Sequence, residues 1–420
     1  MTAVIGIMNK SAVTLAADSA VTVGGQNGNK IFNKANKIFA LSKKHPVGIA
    51  LYNSAMFMGV PWETIIKMYR NELKDKSFST INDYKADFIN YITKKKVFST
   101  LSQQQIAITN LTKMTIHGIF NTTFHAIHSR EPNAVIDYLK AHAEQLHAAS
   151  VKPIKGFEGY TLEEFKKEYP KLLHEYNQVD INGLIYPLDN QLKEIVTQKT
   201  FENLICSQFE NAGAFTGLVF AGFGEEEIYP KLSSIKIADI ISNRVRMTDG
   251  EGSGANFPAV QPACIFPFAQ KDVIDTILQG IDPQMEIFYA NHFEQLLNQY
   301  NSIIFRTIGK EAPEAVNKIK SLNITNLKAS FRMMNRQLKL ERNVKPLIDA
   351  VSYLGKEDLA EMAESLIYLT YLKRRITFAE ESVGGPVDVA LISKGDGFVW
   401  IKRKHYFRED LNKHFITNYL

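Results

Sequence analysis

A threonine stands second in the chain, directly behind the initiating methionine, and it opens an apolar run. If Met1 is removed, Thr2 becomes the chain terminus and carries a hydroxyl and a free α-amino group on one residue. Such a residue can act as nucleophile and general base without a histidine. An α-amino group has an ordinary pKa of about 7.7–8, so it can accept the hydroxyl proton near neutral pH. Met-Thr is also a common chain start, so this position alone predicts the chemistry only weakly.

The composition is that of an ordinary globular protein, with 420 residues of which 45% are hydrophobic and 22% charged. The net charge of +5 is small for this length, and basic residues are mixed with acidic ones, which argues against a nucleic-acid partner. No apolar run reaches the roughly 18 residues of a membrane-spanning helix, so we expect no membrane partner. The N-terminus lacks the pattern of a signal peptide, and we therefore expect a cytoplasmic protein.

Cysteines, histidines and a basic cluster give weaker chemical signals. Cys206 and Cys264 lie far apart in apolar surroundings. One disulfide between them is an alternative, but this pattern agrees better with two buried thiols in a reducing compartment. His125 and His128 could share a helix face, yet no cysteine or carboxylate pattern nearby completes a zinc site. We interpret the basic cluster at 402–405 as a solvated rim, and we expect neither a metal nor a cofactor.

Periodicity predicts strand-rich blocks separated by two long helical stretches. The predicted strands are residues 4–7, 12–17, 37–41, 47–52, 217–224, 227–229, 234–237, 387–392 and 398–401. The glycine-rich stretch 24–29 predicts a turn or loop, and Asp396-Gly397 between two apolar runs predicts a hairpin. Helical spacing starts at Trp62, behind Pro61, and dominates residues 70–210, 270–300 and 314–375. This order favours an α+β fold with a sheet-on-sheet core flanked by helices, and not a doubly wound parallel sheet.

Three blocks of the sequence resemble proteasome β subunits and the bacterial HslV-type protease, which are N-terminal-nucleophile hydrolases. The first block combines Thr2, residues 16–19, Thr22, Gly24, residues 36–38 and residues 47–50. Its interval from Thr2 to Asp18 equals the family's interval from nucleophile to aspartate. The second block, 217–224 with 227–229, is similar to the family's central hairpin. The third, 380–388 followed by 396–400, is similar to the family's glycine pair and last hairpin.

The resemblance implies a four-layer αββα sandwich of antiparallel sheets with helical insertions. It implies a catalytic set of Thr2, Asp18, Lys37, Glu380 and Ser382, and a substrate-binding set of Thr22, Gly24, Tyr52 and Asn53. Thr2 Oγ would attack a carbonyl carbon while its own α-amino group takes the proton. Lys37 would favour the neutral amine by like-charge repulsion, and Asp18 would hold Lys37 charged and oriented.

The sequence departs from the family's pattern at the oxyanion site and beside the amine. The family's donor glycine corresponds to Tyr52, next to Asn53, although a backbone N–H donor does not depend on the side chain. The family's serine between glycines corresponds to a stretch in which Gln270 would have to supply the hydrogen bond.

Two further assignments depend on small shifts in the alignment. The family's aspartate and serine before the last glycine pair correspond by count to Glu380 and Val383, so Ser382 fills the serine role after a one-residue shift. Strict offset from Thr2 selects Lys34 as the active-site lysine, whereas the strand motif selects Lys37. We favour Lys37, because the preceding loop can absorb an insertion.

We expect a proteasome-like core formed by residues 1–70, 213–300 and 366–420, the last with a C-terminal helix. A mostly helical insertion at 71–212 and a helical extension at 301–365 would interrupt this core. The predicted function is a threonine hydrolase that cleaves amide bonds, above all peptide bonds, after loss of Met1. The alternatives are a catalytically inactive module that assembles or binds a partner, and a small-amide hydrolase or acylase. The relatives form closed rings, which implies a homo-oligomer and leaves open an ATPase or adaptor partner.

Overall fold

The computed structural model describes residues 3–25, 28–143, 151–252, 262–308, 325–377, 384–405 and 407–413. Thr2, Glu380 and Ser382 therefore lie outside the described residues. The described chain is an α+β protein with several antiparallel sheets. It divides into two compact units, which we name the terminal unit (Met1–Ile38, Ile228–Pro230 and Asn256–Leu420) and the central unit (Phe39–Glu227 and Lys231–Ala255). These two units do not correspond to the predicted division into a proteasome-like core and two helical insertions. That division stays a prediction.

The strands, numbered in chain order, are short and antiparallel. They are β1 (Val4–Asn9), β2 (Ala12–Ala17), β3 (Val21–Gly25), β4 (Gly28–Phe32), β5 (Ile38–Ala40), β6 (Val47–Asn53), β7 (Met56–Phe57), β8 (Val60–Pro61), β9 (Gln178–Ile181), β10 (Leu184–Pro187), β11 (Thr216–Gly222), β12 (Lys231–Ile241), β13 (Arg244–Asp249), β14 (Ala263–Ala269), β15 (Asp388–Ser393) and β16 (Gly397–Lys402).

The helices range from two turns to more than seven. They are α1 (Trp62–Leu73), α2 (Ile81–Lys94), α3 (Leu101–Ile127), α4 (Pro132–Ala141), α5 (Leu162–Glu168), α6 (Asn190–Ile205), α7 (Lys271–Gln279), α8 (Pro283–Ile308), α9 (Thr325–Lys339), α10 (Lys345–Tyr353) and α11 (Lys356–Ile376). Short 3₁₀ turns occur at Lys96–Phe98, Ser207–Phe209 and Glu409–Leu411, and a π-helical turn at Leu340–Val344 joins α9 to α10. No helix in the described ranges is long and apolar enough to cross a membrane.

The terminal unit contains a five-stranded antiparallel sheet in the order β14-β1-β2-β15-β16. The β1–β2 turn is closed by Asn9, whose Oδ1 accepts hydrogen bonds from Ser11 N at 3.0 Å and Ser11 Oγ at 2.7 Å. One face of the sheet packs against α7, α10 and α11, where residues such as Ile274, Val351 and Leu359 are buried with the strand residues. This core covers one face of the sheet with buried apolar side chains.

The central unit contains a second five-stranded sheet in the order β13-β12-β11-β6-β5. Helices α1 and α2 cover one face and bury a cluster of aromatic rings that includes Trp62, Tyr69 and Phe88. Helices α3, α4 and α6 and the hairpin β9–β10 surround a separate hydrophobic core. The start of α3, α5 and the end of α6 enclose another one.

Many local predictions from the sequence are confirmed. The strands predicted at 4–7, 12–17 and 47–52 are β1, β2 and β6, and α1 starts at Trp62 behind Pro61. The predicted hairpin at Asp396-Gly397 joins β15 to β16, and Gly397 has a φ of 76° there. The disulfide alternative is excluded, because Cys264 is a buried thiol and Cys206 a partly exposed one.

Three local predictions were wrong or incomplete. Most of the stretch 24–29, predicted as a loop, belongs to the paired strands β3 and β4. The stretch 227–229, predicted as a strand, is irregular with a bend at 228–229, and Glu227 Oε2 accepts hydrogen bonds from Gly224 N at 2.8 Å and Ile81 N at 3.0 Å. The hairpin β9–β10 inside the helical stretch was missed, although Asn182 and Gly183 carry its turn with positive φ.

Candidate active site

Asp18 is the centre of a buried cluster of hydrogen bonds in the terminal unit. The residue follows the last residue of β2 and is 1% exposed. Its Oδ1 accepts a hydrogen bond from Ala3 N at 2.9 Å. Its Oδ2 accepts from Ala20 N and from Gly384 N, both at 3.1 Å. One carboxylate therefore joins its own loop to the segment before β1 and to the distant segment at Gly384.

Lys37 supplies the charge partner of this carboxylate. Its Nζ donates to Asp18 Oδ1 at 2.6 Å and to Ala20 O at 2.5 Å, and the side chain is 2% exposed. Lys34, the alternative by strict offset, is exposed. Burial lowers the pKa of Lys37 below its ordinary value, while the charge and the hydrogen bond of Asp18 act in the opposite direction. The geometry thus selects Lys37 as the partner of Asp18.

The strand register brings the ends of three strands together at this cluster. Ala17, the last residue of β2, lies opposite Val4 of β1 on one side and opposite Asp388 of β15 on the other. The loop after β2 is fixed by Ser19, whose N–H donates to Gly384 O at 3.1 Å. The antiparallel pairing therefore brings the segments that precede β1 and β15 beside the segment that follows β2.

Gly385 allows the chain to pass close to the segment that leads to Lys37. Its φ is 76°, and a Cβ at this position would lie 2.7 Å from the carbonyl oxygen of Asn33. Only glycine accommodates both the left-handed backbone and this approach without strain. Ala35 N in turn donates to Ser19 O at 3.0 Å. Gly385 thus has a packing reason that is independent of chemistry.

A second buried ion pair adjoins the first and was missed from the sequence. Asp388 is 3% exposed and accepts a hydrogen bond from Lys404 N at 2.9 Å, and its other oxygen contacts Lys404 Nζ. The interpretation of 402–405 as a solvated rim was therefore wrong for Lys404. Both charges act on the pKa of Lys37, which Lys404 lowers and Asp388 raises. An aspartate at the start of the apolar strand β15 was the available signal, since such a carboxylate needs a cation.

The structure places the other predicted residues of the terminal unit as follows. Thr22 and Gly24 belong to β3, where they are paired with Ile31 and Asn29 of β4. Gln270 follows β14 directly behind Ala269, which lies opposite Val4, and it starts α7 with a φ of 54°.

Tyr52 and Asn53 belong to the central unit, at the end of β6. The Tyr52 ring is 5% exposed and lies over Gly217, where a Cβ would stand 2.0 Å from two of its ring carbons. Asn53 has a φ of 72°, and its Nδ2 donates to Gly213 O at 2.8 Å and to Phe215 O at 2.6 Å. Both side chains are thus used in packing and loop closure.

The chemistry of the cluster depends on what lies next to Ala3. The Ala3 nitrogen that binds Asp18 is the amide nitrogen formed with residue 2. A buried ammonium and carboxylate close to that amide can influence a proton on residue 2 without contacting bulk water. Within the described ranges, no group of three or more His, Cys, Asp or Glu is placed to hold a metal ion.

No family model matches this chain, and no curated protein is significantly similar to it in sequence.

Proposed function

We propose that the protein is an N-terminal threonine hydrolase that cleaves amide bonds, above all peptide bonds, once Met1 has been removed. Thr2 would be the nucleophile and its own α-amino group the general base. The proposal rests mainly on one observation: Ala3 N and Lys37 Nζ both bind Asp18 Oδ1, at 2.9 and 2.6 Å. The residue predicted as nucleophile is thus covalently attached to an atom of the buried cluster.

The position of this cluster supports the resemblance to proteasome-like hydrolases, which we retain as part of the proposal. Two of the three sequence blocks behind that resemblance contribute to one set of hydrogen bonds. Asp18 and Lys37 come from the first block, and Gly384 comes from the third. Chance similarity would not require these distant segments to converge on one carboxylate.

In the proposed reaction Thr2 Oγ attacks the carbonyl carbon of the substrate, and its proton passes to the α-amino group. The tetrahedral intermediate collapses to an ester on Thr2, and the leaving amine takes the proton back. Water then hydrolyses the ester, again with the α-amino group as base. The Lys37 ammonium would disfavour a second positive charge on the α-amine and so keep it able to accept protons. Asp18 would hold both the ammonium and the Ala3 amide in place.

The finer fold assignment is also part of the proposal. Each five-stranded sheet has helices packed on one face. Strand residues that point to the opposite faces, such as Val4 and Val219, are fully buried as well. We retain the four-layer αββα arrangement that the resemblance implies as part of the proposal. In that arrangement the Tyr52 backbone N–H would stabilise the oxyanion, and Ser382 and Glu380 would complete the hydrogen bonds near the amine.

Two measurements on purified protein test the proposal. Intact mass determines whether Met1 is absent, which the mechanism requires. A fluorogenic peptide library then compares the wild type with Thr2→Ser and Thr2→Ala. We expect hydrolysis by the wild type, reduced hydrolysis by Thr2→Ser, and none by Thr2→Ala. Hydrolysis that survives Thr2→Ala would contradict the proposal, and complete retention of Met1 would favour the inactive module. The homo-oligomer, the cytoplasmic location and an ATPase or adaptor partner stay predictions.

A further inference from the structure

A long cleft of about 820 Å³ lies in the central unit, to which all of its described lining residues belong. Its main wall is one face of α3, which contributes residues from every turn between Gln103 and Thr122. At 1.5 Å per residue this wall is roughly 28 Å long. The volume lies within the range of about 300–1,000 Å³ that is typical of sites for small molecules. Small side chains leave this space open; they are Gly59, Ala107, Gly118, Ala212, Ala214 and Ala238.

Gly118 stands out because it lies inside α3, a helix of 27 residues. A glycine in a helix interior destabilises it by about 1 kcal/mol relative to alanine. No close approach explains this glycine, since a Cβ at Gly118 would have no other atom within 4 Å. Its missing side chain instead widens the cleft, in which Gly118 is a lining residue.

The floor of the cleft is polar and poorly solvated. Arg246 is 3% exposed and donates to Leu204 O at 3.1 Å, to Asn203 O at 3.1 Å and to Asp239 Oδ2 at 3.0 Å. Burial raises the pKa of the Asp239 carboxyl, although Arg246 opposes this shift. Among the described residues, none donates a hydrogen bond to Asp239 Oδ1 or Asn203 Oδ1, and both oxygens are shielded from solvent.

The charges along the cleft are already compensated. Arg246 pairs with Asp239, and Lys199 pairs with Glu202 at 3.0 Å. A charged ligand would bring an additional charge beside these pairs into an apolar space, which is unfavourable. A hydroxyl or amide N–H, in contrast, would give the two oxygens a donor after a small side-chain rotation.

We propose that this cleft binds an uncharged, elongated and mostly apolar small molecule that carries a hydroxyl or amide donor at one end. The apolar chain lies along the α3 face, against Ile106, Leu111 and Met114. The donor end reaches the floor beside Asp239 and Asn203. None of the described residues that line the cleft has a role in the proposed hydrolase chemistry, so the two proposals are tested separately.

Isothermal titration calorimetry on the full-length protein tests the proposal with three probes of equal chain length. 1-Decanol has the donor, 1-methoxydecane lacks it, and decanoate is charged. We expect 1-decanol to bind the wild type at least about tenfold more tightly than either of the other probes. Gly118→Ala, which adds only a methyl group facing open space, should keep this affinity. Gly118→Phe and, independently, Asn110→Phe should weaken 1-decanol binding by at least about tenfold.

The fold of each variant is checked by the unfolding transition of Trp62, the tryptophan of the central unit, in a Trp400→Phe background. Failure of 1-decanol to bind the wild type would overturn the proposal. Unchanged affinity in a normally folded Gly118→Phe or Asn110→Phe protein would do the same. If decanoate bound as tightly as 1-decanol, the proposal that the ligand is uncharged would be wrong. If 1-methoxydecane bound as tightly as 1-decanol, the proposal that the ligand needs a hydrogen-bond donor would be wrong.

Discussion

Removing Asp18 should destabilise the terminal unit more than removing its partner Lys37. Lys37→Met deletes the ammonium but leaves the carboxylate with hydrogen bonds from Ala3, Ala20 and Gly384 N–H groups. Breaking a buried ion pair by removing one partner costs about 3–5 kcal/mol. Because three N–H donors still bind the carboxylate, we expect Lys37→Met to lower the free energy of unfolding by about 3 kcal/mol, the lower end of this range.

Asp18→Ala loses the same ion pair and also leaves those three backbone N–H groups without their acceptor. Each unsatisfied buried donor costs at least about 1 kcal/mol, which brings the total to about 6 kcal/mol. This loss is comparable with the whole stability of many domains. Asp18→Asn keeps one acceptor oxygen, so its loss in free energy of unfolding should lie between those of the two variants. It replaces Asp18→Ala in the comparison if that variant does not fold.

The assay is urea unfolding followed by tryptophan fluorescence. The chain has two tryptophans, and Trp400 lies in the terminal unit while Trp62 lies in the central unit. In a Trp62→Phe background, Trp400 therefore reports the unit that contains the site. The control is Lys356→Met, which breaks an exposed ion pair with Asp396 at 2.5 Å in the same unit and should cost less than about 1 kcal/mol. The reasoning would be refuted if Lys37→Met lowered the free energy of unfolding as much as Asp18→Ala or more. It would also be refuted if both variants lowered it as little as the control does.

Three other outcomes follow from the same contacts. Gly385→Ala should lower the free energy of unfolding by about 1–3 kcal/mol, because the added Cβ would lie 2.7 Å from Asn33 O. Gly384→Ala is the control: its Cβ would have no atom closer than 3.5 Å, so the loss measured in the same urea assay should be clearly smaller. Burial lowers the pKa of Lys37 below its ordinary 10.5, so between the two values the unfolded chain binds more protons than the folded protein. The stability of the wild type should therefore rise relative to Lys37→Met as the pH rises through that window, and a relative fall would show that Asp18 dominates instead. The rate of Thr2 acylation should increase with pH as the α-amine loses its proton, and Lys37→Met should move the midpoint upward by about one pH unit; a downward shift would contradict the assigned role of Lys37.

Sequence patterns predicted the parts of this protein whose structure is set locally. The strands around Ala12–Ala17 and Val47–Asn53 have enough apolar residues to define them, and Asp396-Gly397 specifies its own turn. The Asn182-Gly183 hairpin had an equally good local signal, but the surrounding helical periodicity obscured it. The strand expected at 227–229 failed because Glu227 uses its side chain to bind backbone N–H groups.

The candidate site was predictable only in part, because its contacts are not local. Asp18 and Lys37 were selected through a spacing and a strand motif, and they do pair. The pairing of Asp388 with Lys404 depends on where two strands end in a sheet, which no local pattern encodes. The α3 cleft depends on small residues from several elements, and Gly118 alone within a helix did not indicate it.

The most direct test of the central claim is the position of covalent modification by an electrophilic β-lactone. Wild-type protein is incubated with the reagent, its intact mass is measured, and the modified peptide is sequenced by tandem mass spectrometry. Our account predicts loss of Met1, a single adduct on Thr2, no adduct in Thr2→Ala, and slower modification in Lys37→Met. An adduct on another residue, such as the partly exposed Cys206, that persists in Thr2→Ala would contradict the account.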